Sequence, residues 1–112
     1  MEGGFLAAEK ILRYNEGVTA IFTMADVVAL GAIRKLADMG LRVPDDVSVT
    51  GYDGLMTSEY FCPRLATVQQ PLDCLVEKGF ALLTACIEKT GKAEHILVPC
   101  SITAGESIRD RL

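Results

Sequence analysis

Val43-Pro44-Asp45-Asp46-Val47-Ser48-Val49-Thr50-Gly51-Tyr52-Asp53-Gly54 is a turn feeding a short β-branched run that ends on glycine and an acid. Val47 and Val49, with the apolar stretch before Pro44, suit a strand in the middle of a parallel sheet, and Gly51 and Gly54 let the backbone bend sharply beyond it. In an open α/β sheet, ligands sit in the crevice outside the carboxyl ends of such strands, where loops and helix N-termini converge. Asp53 is therefore the first candidate ligand contact. An aspartate here equally suits a turn, bonding its own backbone two residues on.

Upstream, Glu2 to Arg13 places Phe5, Leu6, Ala8, Ile11 and Leu12 on one helical stripe. Asn15-Glu16-Gly17 ends that helix, and Val18 to Met24 is β-branched and apolar enough for a buried strand. Asp26 is expected to N-cap the following helix, Val27 to Met39, which Gly40 closes as a left-handed cap. Strand, helix and strand at this spacing make a βαβ unit with parallel, adjacent strands. The ends at Met24-Ala25-Asp26 and Tyr52-Asp53 then open on one edge.

Downstream, Leu55 to Cys62 is a loop or short helical turn too apolar to hang free in water. Ala66 to Gln69 is extended, Pro71 opens a helix running to Lys89, and Gly91 ends it. His95 to Val98 has the composition of another strand, Ser101 to Ala104 is extended again, and Glu106 to Leu112 is expected to fray.

Half of the 112 residues are apolar, enough for one small core. The net charge of −4 leaves no basic stripe to neutralise a phosphate backbone, so the chain by itself is not expected to bind DNA. A mean hydropathy of +0.30 points to apolar surface meeting a partner or a missing part. The cysteines at 62, 74, 86 and 100 form no Cys-x-x-Cys pair, and His95 is the lone histidine, so no metal site is expected. Cys74 and Cys86, twelve residues apart on one helix, lie about 18 Å apart along its axis, outside disulfide reach. All four are read as reduced thiols of a cytoplasmic, soluble protein. No apolar run approaches a membrane span, and no signal-peptide pattern opens the chain.

No Gly-x-Gly-x-x-Gly follows a strand, no Gly-x-x-x-x-Gly-Lys occurs, and no Ser or Cys stands in a nucleophile elbow. An enzyme and a bound cofactor are therefore not expected. His95 is read as a surface loop residue rather than a general base.

The residues resemble the effector-binding core of lactose-repressor and galactose-repressor type bacterial regulators, which share the type I periplasmic sugar-binding fold. Carriers of the resemblance are Thr19-Ala20-Ile21-Phe22, Asp26-x-x-Ala29-Leu30-Gly31-Ala32, Gly40 to Val49, Gly51-Tyr52-Asp53, Pro63-x-Leu65-x-Thr67-Val68-x-Gln70-Pro71 and Glu106-Ser107. The resemblance implies a partial α/β core of parallel βαβ layers. Residues of about 1–69 and 100–112 would belong to the C-terminal lobe, and about 70–99 to the other lobe. The DNA-binding headpiece would be absent. It further implies a cleft for a sugar or purine-like effector contacted by Asp53 and Tyr52, with Gln70 at the hinge, Leu72 on an apolar wall and Ala25 where the family often has a polar contact. Leu30, Met56, Tyr60 and Phe61 would face a homodimer partner, and operator DNA would be reached only through the missing headpiece. The Leu72, Leu75, Val76, Phe80, Leu82, Leu83 and Ile87 side chains would be covered largely by the missing lobe, and in its absence by folding back on the chain's own sheet or by exchange with a second copy. The alternative is a sugar-binding protein serving a transporter, which shares the fold.

Overall fold

The computed structural model describes residues 1–92 and 94–110. Its elements in order are α1 (Glu2–Tyr14), β1 (Ala20–Phe22), α2 (Asp26–Asp38), β2 (Ser48–Asp53), a 3-10 turn (Met56–Tyr60), β3 (Ala66–Gln69), α3 (Leu72–Ile87) and β4 (Ser101–Thr103). The strands form one sheet in sequence order. β1, β2 and β3 are parallel, with Ala20 opposite Ser48 and Thr50 opposite Ala66, so the expected βαβ unit is present. By its internal contacts the chain divides into two compact units, Met1–Gln69 with the tail from Ile102, and Gln70–Ser101.

In the first unit, Val47 and Val49 are buried as expected and pack with Ile21, Ala29, Ala32, Leu36 and Leu65. β1 is not the fully buried strand that its composition predicts. It lies at the sheet edge with Ile21 inside, while Phe22 and Met24 are 74% and 81% exposed. An apolar run shows only that a strand can be covered on both faces, and here one face is open.

α1 meets α2 through small residues. An added Cβ on Gly4 would collide with the Val28 carbonyl, and one on Gly31 with the Met1 carbonyl, so the helices approach backbone to backbone. Of the expected stripe, Ala8 is buried and Leu12 packs half-buried against the core, whereas Leu6 and Ile11 are exposed. Lys35 closes this seam, 2.9 Å from the Glu9 carboxylate and 4.7 Å from the centre of the Phe5 ring. The Lys35 hydrogen bond, helped by the charges of Lys35 and Arg13, holds the Glu9 carboxyl below its ordinary pKa. A depressed folded-state pKa means that this tie is present at neutral pH and is lost as pH falls through the lowered value.

The tail from Glu106 is not frayed over its described part. Ser107 is fully buried: its hydroxyl donates to the Val49 carbonyl at 2.6 Å and accepts from the Ala66 amide at 2.8 Å, and its own carbonyl accepts from the Val49 amide at 2.8 Å. β2 and β3 first pair at Thr50 and Ala66, so Ser107 supplies the bonds at the open start of their ladder. Glu106 reinforces it through the Arg64 amide and guanidinium. Arg111 and Leu112 lie outside the described residues.

In the second unit, Pro71 caps α3 rather than starting it, and no α3 residue is buried. His95 to Val98 is not a strand, and Leu97 is 97% exposed, because among the described residues nothing pairs with it. The apolar composition of that segment is satisfied by no ladder here. Cys62, Cys74, Cys86 and Cys100 are free thiols.

Gly31→Ala should destabilise the chain by about 1 to 3 kcal/mol through overpacking at the helix seam. Gly3→Ala, on the facing helix α1 but with nothing within 4 Å of the added carbon, should not. Thermal unfolding of the two variants measures the difference, and equal midpoints would refute the close-approach account.

Candidate functional site

Parallel pairing brings the carboxyl ends of β1, β2 and β3 to one edge, with Phe22 opposite Thr50 and Asp53 opposite Gln69. The Thr23 amide extends the first ladder by donating to the Thr50 carbonyl at 3.1 Å. The Thr23 hydroxyl lies 2.9 Å from that carbonyl and 3.0 Å from that of Ala25, so the chain leaving β1 is fastened to β2. Ala25, Tyr52 and Asp53 therefore share one edge of the first unit. Gln70 and Leu72 belong to the second unit, where the Leu72 amide donates to the Gln70 carbonyl.

The chain leaves β2 through two residues of positive φ, Asp53 at 127° and Gly54 at 75°. Glycine adopts such a conformation freely, but at Asp53 it is strained and needs outside support. Gly54 also lies against Gln69, where no Cβ would fit. Gly51 does not bend the chain as its sequence position suggests. It lies inside β2, and its missing side chain makes room for the Asp26 carboxylate and the Leu65 methyl, both of which a Cβ would strike.

Asp26 is likewise not the N-cap. Ala25 holds the cap position in extended conformation without a side-chain bond, and its carbonyl accepts from the Val28 and Ala29 amides. Asp26 lies in the first turn, fully buried. Its Oδ2 accepts from the Leu55 amide at 2.7 Å and the Ser58 hydroxyl at 2.9 Å, and its Oδ1 from the Thr67 hydroxyl at 2.5 Å. These three donors, with the positive end of α2, offset the cost of burying a carboxylate. An acid just before an apolar run carries the same local signal whether it caps the helix or points into the core. The pairing of Ser58 and Thr67 with it is long-range and was not legible.

Met56, Tyr60 and Phe61 are exposed on or beside the 3-10 turn, at 78%, 83% and 37%. Leu30 is only 4% exposed and is covered by the chain itself, so it cannot present a surface to a partner as the resemblance implied. Gln69, which sequence reasoning passed over, faces Asp53 in register and lies within hydrogen-bond reach of the Thr103 hydroxyl at 3.3 Å. Its signal was the parallel register, which sets the end of β3 beside the end of β2. Among the described residues, no three His, Cys, Asp or Glu side chains gather to hold a metal. Two open, apolar hollows flank β1, one by Ala20, Phe22 and Thr50, the other by Ala8, Ile21 and Met24. They are uncovered packing surface rather than a polar ligand cavity.

Asp26→Ala should cost about 3 to 5 kcal/mol, because it leaves buried donors on Leu55, Ser58 and Thr67 without an acceptor. Asp38→Ala, which loses an exposed ion pair to Arg34 one turn away, should cost less than about 1 kcal/mol. Urea titrations of both variants measure the contrast, and similar midpoints would contradict a buried hub.

The profile of the periplasmic binding protein-like domain family matches residues 3–108. The transcriptional repressor PurR of Salmonella paratyphi B is 39% identical over 110 residues, covering 97% of this chain and 32% of that protein. A crystal structure of the lac repressor dimer bound to operator and the anti-inducer ONPF superposes with a TM-score of 0.87 at 29% identity, over 96% of this chain and 37% of that one. A LacI family transcriptional regulator from Enterococcus faecium, with bound ribose, superposes with a TM-score of 0.84 at 30% identity, over 96% and 39%. The chain thus spans about a third of the length of the curated relatives it matches.

Proposed function

We propose, from the premise that this chain belongs to the periplasmic binding protein-like domain family, that it is the effector-binding and dimerisation part of a DNA-binding transcriptional regulator of the LacI type. Asp53 carries the proposal: a carboxylate at the carboxyl edge of a parallel sheet, in a strained backbone conformation, is poised to accept from a small polar molecule. Hydroxyl groups of a sugar or ring N–H groups of a purine-like effector are the complementary donors. The ribose in the E. faecium regulator and the repressor relatives support that class of ligand and that role.

In this proposal Tyr52 and Ala25 flank Asp53 on the edge, and Gln70 and Leu72 belong to the start of the second lobe. Met56, Tyr60 and Phe61 offer an apolar surface to a second copy. Operator DNA is contacted by a headpiece outside this acidic chain, and effector binding shifts the population between two arrangements of the dimer. Such a protein works in the cytoplasm. Among the described residues, no helix is long and apolar enough to cross a membrane.

On the full-length protein, Asp53→Ala should weaken the effector that titrates in calorimetry, chosen from a panel of pentoses, hexoses and purine bases, by about 1.5 to 3 kcal/mol. Unchanged affinity with the fold intact leaves Asp53 a turn residue and overturns the assignment. Tyr60→Glu should drive the self-associated protein toward monomer in sedimentation equilibrium over a dilution series, because it places a charge in an apolar contact. An unaltered association constant would remove the 3-10 turn from the interface.

A further inference from the structure

Asp26 grips the chain on both sides of Asp53. Two residues before Asp53, Gly51 lies directly against Asp26 Oδ1, with no space for a side chain between them. Two residues after it, the Leu55 amide donates to Asp26 Oδ2 at 2.7 Å, the first anchor beyond the positive-φ pair Asp53 and Gly54. The Ser58 hydroxyl shares that oxygen at 2.9 Å, and the Ser58 amide donates to the Leu55 carbonyl at 2.9 Å, which closes the turn on itself. Asp26 is fully buried and cannot meet a ligand.

We infer that Asp26 is a positioning residue for Asp53: through Leu55 and Ser58 it holds the strained backbone that aims the Asp53 side chain. The functional meaning of this hold rests on the proposed role of Asp53 in effector binding. The Thr67 hydroxyl, which satisfies Oδ1 from β3, has a different part. It anchors the carboxylate to β3, whereas Leu55 and Ser58 belong to the segment that follows Asp53. Because the same carboxylate fastens the turn carrying Met56 and Tyr60, it mechanically joins the ligand-facing edge to the exposed apolar surface. A change in the Asp53–Leu55 backbone on ligand binding would be felt in that turn through one buried group.

The test uses the 112-residue chain and two readouts that need no ligand, amide hydrogen exchange at Leu55 and the backbone HN–Hα coupling of Asp53, which reports its φ. Asp26→Ala and Ser58→Ala should each raise Leu55 exchange by about tenfold or more beyond the change in global stability, and should move the Asp53 coupling off its positive-φ value. Thr67→Val should lower global stability while leaving both readouts at their wild-type values. If Asp26→Ala does not fold, Ser58→Ala decides alone. Leu55 and Asp53 responding no more to Ser58→Ala than to Thr67→Val overturns the inference, since the carboxylate would then be a general core contact. The calorimetric result for Asp53→Ala bears on the effector assignment and leaves these conformational readouts untouched, so either can fail without the other.

Discussion

A carboxylate removed from water costs several kcal/mol unless its oxygens are satisfied, and the first unit is arranged so that those of Asp26 are. One donor is a backbone amide just past β2, one a hydroxyl of the 3-10 turn, and one a hydroxyl of β3, while the residue itself sits in the first turn of α2. Four elements therefore have to be in register before this one group is compensated. Gly51 belongs to the same constraint, because any side chain there would displace the carboxylate from β2. The requirement is demanding in a way that apolar contacts are not. A misplaced leucine loses some area, whereas a misplaced donor leaves a buried charge uncompensated.

The rest of the unit is built around keeping α2 where that constraint needs it. From one side the glycine seam lets α1 press against it without an intervening layer of large side chains. Toward the sheet, Ala29, Ala32 and Leu36 fill the space over Ile21, Val49 and Leu65. Ser107 closes the opposite end of the β2–β3 ladder, where a short β3 would leave amide and carbonyl groups unpaired. The open face of β1 and the uncovered α3 are the reverse of this economy of contact. Phe22, Met24, Val76, Phe80 and Ile87 are each at least 70% exposed, which suits surfaces that a further part of a two-lobed core would cover under the proposed function.

Much of this was legible because it is periodic. The βαβ unit follows from one β-branched run, one helical stripe and a second β-branched run, and Gly40 was readable as a left-handed cap, which its φ of 75° bears out. What escaped depends on residues distant in sequence. Asp26 looked like a cap because a cap and an inward-facing acid share the same local context. Gly4 and Gly31 carried no packing role in the sequence because close approach is visible only once the partner helix is known. Leu30 looked like surface by resemblance and is covered by the chain's own fold. Ser107 looked like a loose tail because nothing nearby in sequence announces that Val49 and Ala66, about 58 and 41 residues away, lack partners. His95 to Val98 shows the opposite error: strand-forming composition without a ladder gives no strand.

Asp53 joins these levels. Its φ of 127° is a conformation that folding alone has no reason to favour at a non-glycine residue, and a glycine there would relieve it. A protein retains such strain where the side chain does something that glycine cannot, and a carboxylate at a strand's carboxyl end can accept donors from a bound molecule. The cost must be met close by. The buried Asp26 carboxylate of α2 accepts from the amide two residues beyond the strained one and lies against Gly51 two residues before it, so that under the proposed function holding the site and stabilising the core fall to the same side chain. An arrangement of this kind gives a binding edge little freedom to relax independently of the packing behind it, which is the physical condition for a local change at a ligand to reach a surface on the far side of the turn.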